Sequence, residues 1–306
     1  SQASILFNNV IAIVFTLVAF PRFSLGTTVN DAVRFDMLLP GHSWNQLAIV
    51  ALIFNMPFLK INSVRATYIF CASWFLLNGE RADITGLILG IVIYHLIIND
   101  KSGWKKKLPL VVTGLLVGYL LLKVGNMRIG SGSNGKPWWW NVLTFSTASD
   151  VGYLLNATFD LIDHGFYTNG LTLLSNIFQI LPFSTTTTDF PSVISQYYAN
   201  PGGEPIISAG VLDFGLWGPI ISAAIDLIII RICLIFKTKF FAFEYLILLC
   251  SVPRIAWYGR NFVFSAVFFF IPFVYICNML LNYNRRENSQ FIDNRDSSFD
   301  EKVNDD

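Results

Sequence analysis

Charge is scarce in this sequence. Lys, Arg, Asp and Glu together make only 13% of its 306 residues, about half the ~25% share of a soluble domain. Hydrophobic residues make 54%, which sets aside an ordinary soluble fold and points to an integral membrane protein. The net charge of +1 comes without any basic stripe, so nothing suggests a nucleic-acid partner. Cysteine is sparse as well. Cys71, Cys233, Cys250 and Cys277 all fall in apolar runs with no CxxC spacing, and they read as small buried apolar residues. The sequence has three histidines, no HExxH and no Cys/His ligand spacing, hence no evident catalytic zinc. A P-loop, a GxSxG elbow and the paired broken helices of secondary transporters are also missing.

What the sequence has instead is long apolar runs. A hydrocarbon core of about 30 Å needs ~20 apolar residues in a helix. Eight candidate spans emerge: Ser4–Phe20, Trp44–Leu59, Ser63–Leu77, Asp83–Ile98, Leu108–Val124, Ala209–Phe236, Phe240–Val252 and Asn261–Leu281. The expected fold is therefore an all-α, polytopic helical bundle over residues 1–282, with a large loop, 125–208, between spans five and six. Residues 283–306 are charged and poorly hydrophobic, and read as a disordered cytoplasmic tail.

Orientation follows from the positive-inside rule. Lys60 with Arg65, Lys101 with Lys105–Lys107, Lys237 with Lys239, and Arg285 with Arg286 all fall on one side when eight spans alternate. That side is taken as cytoplasmic. The opposite face carries the "GERAD" turn of Glu80, Arg81 and Asp83, the long loop, and "RIAWYGR", Arg254–Arg260. Its bases are mostly arginine: Arg22, Arg34, Arg81, Arg128, Arg254 and Arg260, against Lys123 and Lys136. A preference for the guanidinium fork suggests bidentate recognition of phosphate or carboxylate.

Within the loop, Trp138–Trp140 read as an interfacial aromatic belt, with sugar stacking as the alternative. In "NGLTLLSNIFQIL", Asn169–Leu181, the residues Leu171, Leu174, Ile177, Phe178 and Leu181 share one helical face. This helix is expected to lie at the membrane surface and to stop at Pro182. "ANPGGEPII" is a tight turn in which Gly202 and Gly203 let the backbone approach a ligand closely, with Glu204 beside them. Asp226, inside span six, is either a functional intramembrane acid or a helix–helix contact.

The order of these features resembles the Wzy-type polymerases of O-antigen and capsular repeat units: a "GERAD" turn opening a span, a large outer loop, "PGGEPIISAGVLDFGLWG" leading into the next span, and a late outer arginine. "GYLLNATFDLIDHGFYTNGLTLLSNIFQILPF", Gly152–Phe183, is similar to the outer loop of the same family. The resemblance covers about 70–281, and the chain is shorter than usual for the family. It implies a metal-independent, inverting membrane glycosyltransferase of the bacterial inner membrane that needs no cofactor. Its active site would face the periplasm or the cell exterior. Donor and acceptor would both be undecaprenyl-pyrophosphate-linked glycans, with membrane lipid around the enzyme and a chain-length regulator as partner protein.

On that reading, developing charge on the pyrophosphate leaving group calls for guanidinium groups. Arg81, Arg254 and Arg260 are the candidates, although Arg81 has Glu80 and Asp83 at hand, and Arg254 and Arg260 could instead hold the outer loop. The acceptor hydroxyl calls for a base. Glu204 is the first choice, followed by Asp213 and His164, with Tyr258 as a substrate-loop residue. Two alternatives stay open: an O-antigen ligase using the same donor, and a flippase or transporter of lipid-linked oligosaccharide, for which Asp226 is the central candidate.

Overall fold

A computed structural model describes residues 2–21, 44–78, 81–93, 147–181, 186–198, 203–236 and 238–282, with isolated positions between 108 and 116. Several expectations fall outside these residues: most of the fifth span, Trp138–Trp140, Pro182, Gly202, Glu80, the lysines at 101–107 and the tail. The described residues are helical, with no strand among them.

The helices are α1 (Gln2–Ala19), α2 (Trp44–Asn55), α3 (Asn62–Leu77), α4 (Arg81–Ile93), α5 (Thr147–Asp163), α6 (Leu171–Phe178), α7 (Phe190–Ile194), α8 (Ile206–Phe214), α9 (Gly218–Ile235), α10 (Lys239–Cys250) and α11 (Val252–Asn282). Three stretches are long and apolar enough to cross a membrane: Gln2–Ala19, Ile206–Ile235 and Val252–Asn282. These helices are consistent with a membrane protein. α3, at 16 residues, is only about 24 Å long at 1.5 Å per residue.

α2 is the centre of the bundle. Its middle is apolar on every side, and Leu47, Ala48, Val50, Ala51, Leu52 and Ile53 have almost no exposure, while buried Asn45 and Asn55 near its two ends bond to neighbouring helices. α1, α3, α4, α10 and α11 close around it. α1, α2 and α11 are tied by a polar clasp. Asn8 Nδ2 donates to Asn55 Oδ1 (3.1 Å), Asn55 Nδ2 to Asn9 Oδ1 (2.9 Å), and Asn278 Nδ2 to Asn8 Oδ1 (2.9 Å). Such amide contacts between apolar helices are each worth about 0.6–2 kcal/mol in lipid.

Two spans differ from their sequence reading, and glycine is the reason in each. The sixth, Ala209–Phe236, is not one helix. Gly215 (φ 62°) breaks it, and α8 folds back so tightly on α9 that a Cβ on Gly218 would overlap the Gly210 carbonyl. "RIAWYGR" is not a loop before the eighth span but the first arm of α11, which kinks at Gly259 (φ 51°, ψ −135°). Both breaks lie at the same end of the molecule and bring Glu204, Asp213 and Arg260 toward one another.

Candidate active site at the Gly259 kink

The kink is built around Glu204. The Glu204 amide N–H donates to the Trp257 carbonyl (2.8 Å), and a Cβ on Gly259 would collide with the Glu204 carbonyl oxygen. A Cβ on Gly203 would lie 2.6 Å from the Trp257 ring. The close approach that Gly203 permits in this structure is that of the Trp257 indole.

Arg260, one residue past the kink, is completely buried. Its Nη2 donates to Asp213 Oδ2 (2.8 Å) and to Thr172 Oγ1 (2.9 Å). The Asp213 carboxylate is saturated. It also accepts from Thr168 Oγ1 (2.7 Å), Thr172 N (3.0 Å), Thr172 Oγ1 (2.6 Å) and Leu173 N (3.1 Å). Two of those donors are the first amides of α6, so the carboxylate caps that helix from a neighbouring element and meets its positive end. With these donors around it, the carboxylate has no lone pair to spare for a hydroxyl proton. In this geometry Asp213 anchors the start of α6 and Arg260.

Glu204 is the reverse case. It is 2% exposed, and only Oε1 is engaged, by Asn176 Nδ2 (2.8 Å). Its Oε2 is buried with no hydrogen-bond partner among the described residues, as are Asn176 Oδ1 and Arg260 Nε and Nη1. Burial pushes the Glu204 carboxyl from 4.5 up to about 8, against the opposing pull of the Asn176 hydrogen bond and the Arg260 charge. A carboxyl so tuned exchanges a proton near neutral pH, which suits a general base. The unused donors on Arg260 can receive an anion's oxygens.

The other candidates separate from this pair. Arg254 is buried in an ion pair with Asp83 of α4. Its Nη2 donates to Asn45 Oδ1 (3.2 Å), and Asn45 Nδ2 donates to Asp83 Oδ2 (2.7 Å). The guanidinium also lies 4.6 Å from the centre of the Tyr258 ring, so Tyr258 serves Arg254. Arg81 opens α4, and its side chain lies outside the described residues. His164 is exposed at the end of α5, where Nδ1 contacts the Asp160 carbonyl (2.7 Å). That backbone contact and the Asp160 charge raise its pKa, and its contacts are local. Asp226, on α9, has its Oδ1 buried without a partner among the described residues, and the Arg260 charge reaches it.

The sequence reading missed the neutral polar residues that build the site: Thr168, Thr172, Asn176, Gln179 and Asn261. A signal was present. Thr172, Ser175, Asn176 and Gln179 recur at i, i+3, i+4 and i+7, the face of α6 opposite its apolar stripe. No family model matches the chain, and no curated protein or solved structure matches it.

Proposed function

We propose that this protein is a membrane glycosyltransferase that polymerises undecaprenyl-pyrophosphate-linked repeat units into O-antigen or capsular polysaccharide. The observation that carries the reading is the buried pair at the kink: a carboxyl with an unused oxygen, poised near neutral pH, and an arginine with unused donors. The acceptor hydroxyl attacks the anomeric carbon of the donor glycan as its bond to the pyrophosphate oxygen breaks. Glu204 takes the hydroxyl proton. The pyrophosphate leaves with the bonding electron pair, and Arg260 receives the charge that develops on it. A single displacement inverts the anomeric centre.

The finer topology belongs to the same proposal. Eight spans with the kink facing the periplasm or cell exterior put the site on the side where lipid-linked repeat units are displayed, in the bacterial inner membrane. The outer residues support it by meeting across the chain: Asp83 touches Arg254, and Asp213 touches Arg260. A chain-length regulator is the protein partner this role implies.

The test is a polysaccharide gel from a deletion strain complemented with the parent, Arg260→Ala or Glu204→Gln. A ladder with the parent, and core plus a single repeat unit with either variant, is the expected result. Full ladders from both variants sink the proposal. Core with no repeat unit at all would turn the reading to a ligase or a flippase.

A further inference from the structure

α6 is amphipathic in the sense opposite to a helix in water. Its polar face is inside, with Thr172 and Asn176 fully buried and Ser175 nearly so. Its apolar face is outside: Leu171, Leu174 and Ile177 are between 45% and 49% exposed, and Phe178 is 62% exposed. An apolar patch of this kind marks contact with something other than water. The patch does not end with α6. Gly170 packs on the Phe214 ring and Gly215 on Tyr167, which joins the start of α6 to the α8–α9 turn. There Leu216, Trp217 and Ile220 are exposed at 62–78% at the head of an apolar stretch long enough to cross the bilayer. The patch is thus continuous with a membrane-facing surface, and lipid is what covers it.

Behind that one helix lie Glu204 and Arg260. The two ends of α6 are held differently. The N-terminal end is anchored through the charged Asp213 carboxylate, by the Thr172 and Leu173 amides, next to two left-handed residues, Asn169 (φ 50°) and Gly170 (φ 85°). The rest is held by Asn176 to Glu204 (2.8 Å), Asn261 Nδ2 to Gln179 Oε1 (2.8 Å), Ser265 Oγ to the Gln179 carbonyl (3.2 Å), contacts of Ser175 and Gln179 to Thr186, and one long bond from Gln179 Nε2 to Asp189 Oδ2 (3.3 Å). The Asp213 carboxylate takes three donors from Thr172 and Leu173 at 2.6–3.1 Å, whereas the bond to the Asp189 carboxylate at the other end is single and longer, so the C-terminal end releases first.

We infer that α6 is a lateral door between the bilayer and the Glu204–Arg260 pair. It pivots at Asn169–Gly170, with Asn176 on Glu204 as the latch. The ligand of the pair is accordingly a membrane-anchored anion that arrives sideways from the lipid. Its apolar chain stays along Leu174, Ile177, Leu216 and Trp217, and its head group reaches the free donors of Arg260. The anion's identity as a pyrophosphate rests on the proposed function; the route does not.

Carbodiimides test the route without turnover, because they form a stable N-acylurea on a protonated carboxyl. The protein in liposomes is treated with lipid-soluble dicyclohexylcarbodiimide or with a water-soluble charged carbodiimide, and the Glu204 peptide is followed by mass spectrometry. The lipid-soluble reagent is expected to label Glu204 roughly tenfold faster, and Asn176→Leu to speed that labelling by shifting the door toward open. In a background with the four cysteines changed to serine, a thiosulfonate bridge between Gln179→Cys and Asn261→Cys is expected to slow labelling by about tenfold, reversibly on reduction. Equal or faster labelling by the water-soluble reagent, no labelling by the lipid-soluble one, or indifference to the bridge overturns the door. A protein that labels as expected but makes no polymer keeps the door and loses the polymerase.

Discussion

α11 carries two buried arginines, one on each side of the Gly259 kink, and each faces an aspartate from another helix. Arg254 and Asp83 share Asn45 as a common partner, and the cation lies over the rings of Tyr258 and Phe262. Arg260 and Asp213 look alike at first, but the donors are distributed differently. Asp213 has four donor atoms besides Arg260, while Arg260 keeps Nε and Nη1 unused. In the first pair the two ions are bonded to each other and to the same asparagine. In the second the anion is satisfied without the cation, which leaves the cation free to serve a ligand. An ion pair inside a membrane protein is thus not by itself evidence of structure or of function. The count of unused donors on each partner decides.

The sharpest way to break this contrast is to remove each cation in turn. Arg260→Met is expected to lower polymer formation by about 10²-fold or more, the scale of losing a transition-state donor. Its effect on thermal unfolding should be the smaller of the two, because Asp213 retains its helix-end amides and both threonines. Arg254→Met should do the opposite. It breaks a buried ion pair by removing one partner, which costs about 3–5 kcal/mol, and activity per folded molecule should survive. The triple change Asn45→Leu, Asp83→Leu, Arg254→Met removes the whole polar set and should restore much of the lost stability. Unfolding curves in detergent beside in vitro polymer yield give both readouts. Equal destabilisation by the two single variants would erase the distinction.

Glu204 sharpens the comparison through pH, since burial favours its protonated form. Its folded pKa of about 8 is above the ordinary 4.5. The stabilising contribution is full below the ordinary value, fades as pH rises, and is gone above about 8; the slope is at most ~1.4 kcal/mol per pH unit. Glu204→Gln cannot lose a proton, so its melting temperature should match the parent near pH 4.5 and exceed it increasingly up to pH 8. Activity should run the other way in the parent, rising as Glu204 ionises, and be absent in the glutamine variant. A parent whose stability is flat from pH 5 to 8 would mean that Glu204 is not buried as described.

Much of this site was legible because arginine outnumbers lysine on the side that the alternation of eight expected spans sets opposite the lysine clusters, and because Glu204 stands alone in a Gly/Pro turn. The partners were not legible. Asp83 lies 171 positions from Arg254, and from sequence it was the natural mate of Arg81 beside it. The break at Gly215 hides inside "DFGLWGP", which reads as the start of one apolar run. The Asn8–Asn55–Asn278 clasp gives no signal at all, since a single amide in an apolar helix has no periodicity to betray its partner. α6 was legible in its apolar face alone; its function lies on the other face, in neutral residues that hydropathy ignores.

The smallest effect is expected at His164, and it bears on which surface does the chemistry. The imidazole is exposed, four residues past Asp160 on the same helix, and its raised pKa comes from that residue's carbonyl and charge. Nothing ties it to Glu204 or Arg260. His164→Ala should leave the polymer ladder, the melting temperature and the alkaline rise in activity unchanged. A lost ladder would carry a specific meaning. The exposed face of α5 would then hold the base, the acceptor would be activated in water and not behind α6, and Glu204 would become a structural acid held protonated beneath the kink. The pH profile separates the two cases, because an imidazole base would move the rise in activity toward its own titration and leave Glu204→Gln active.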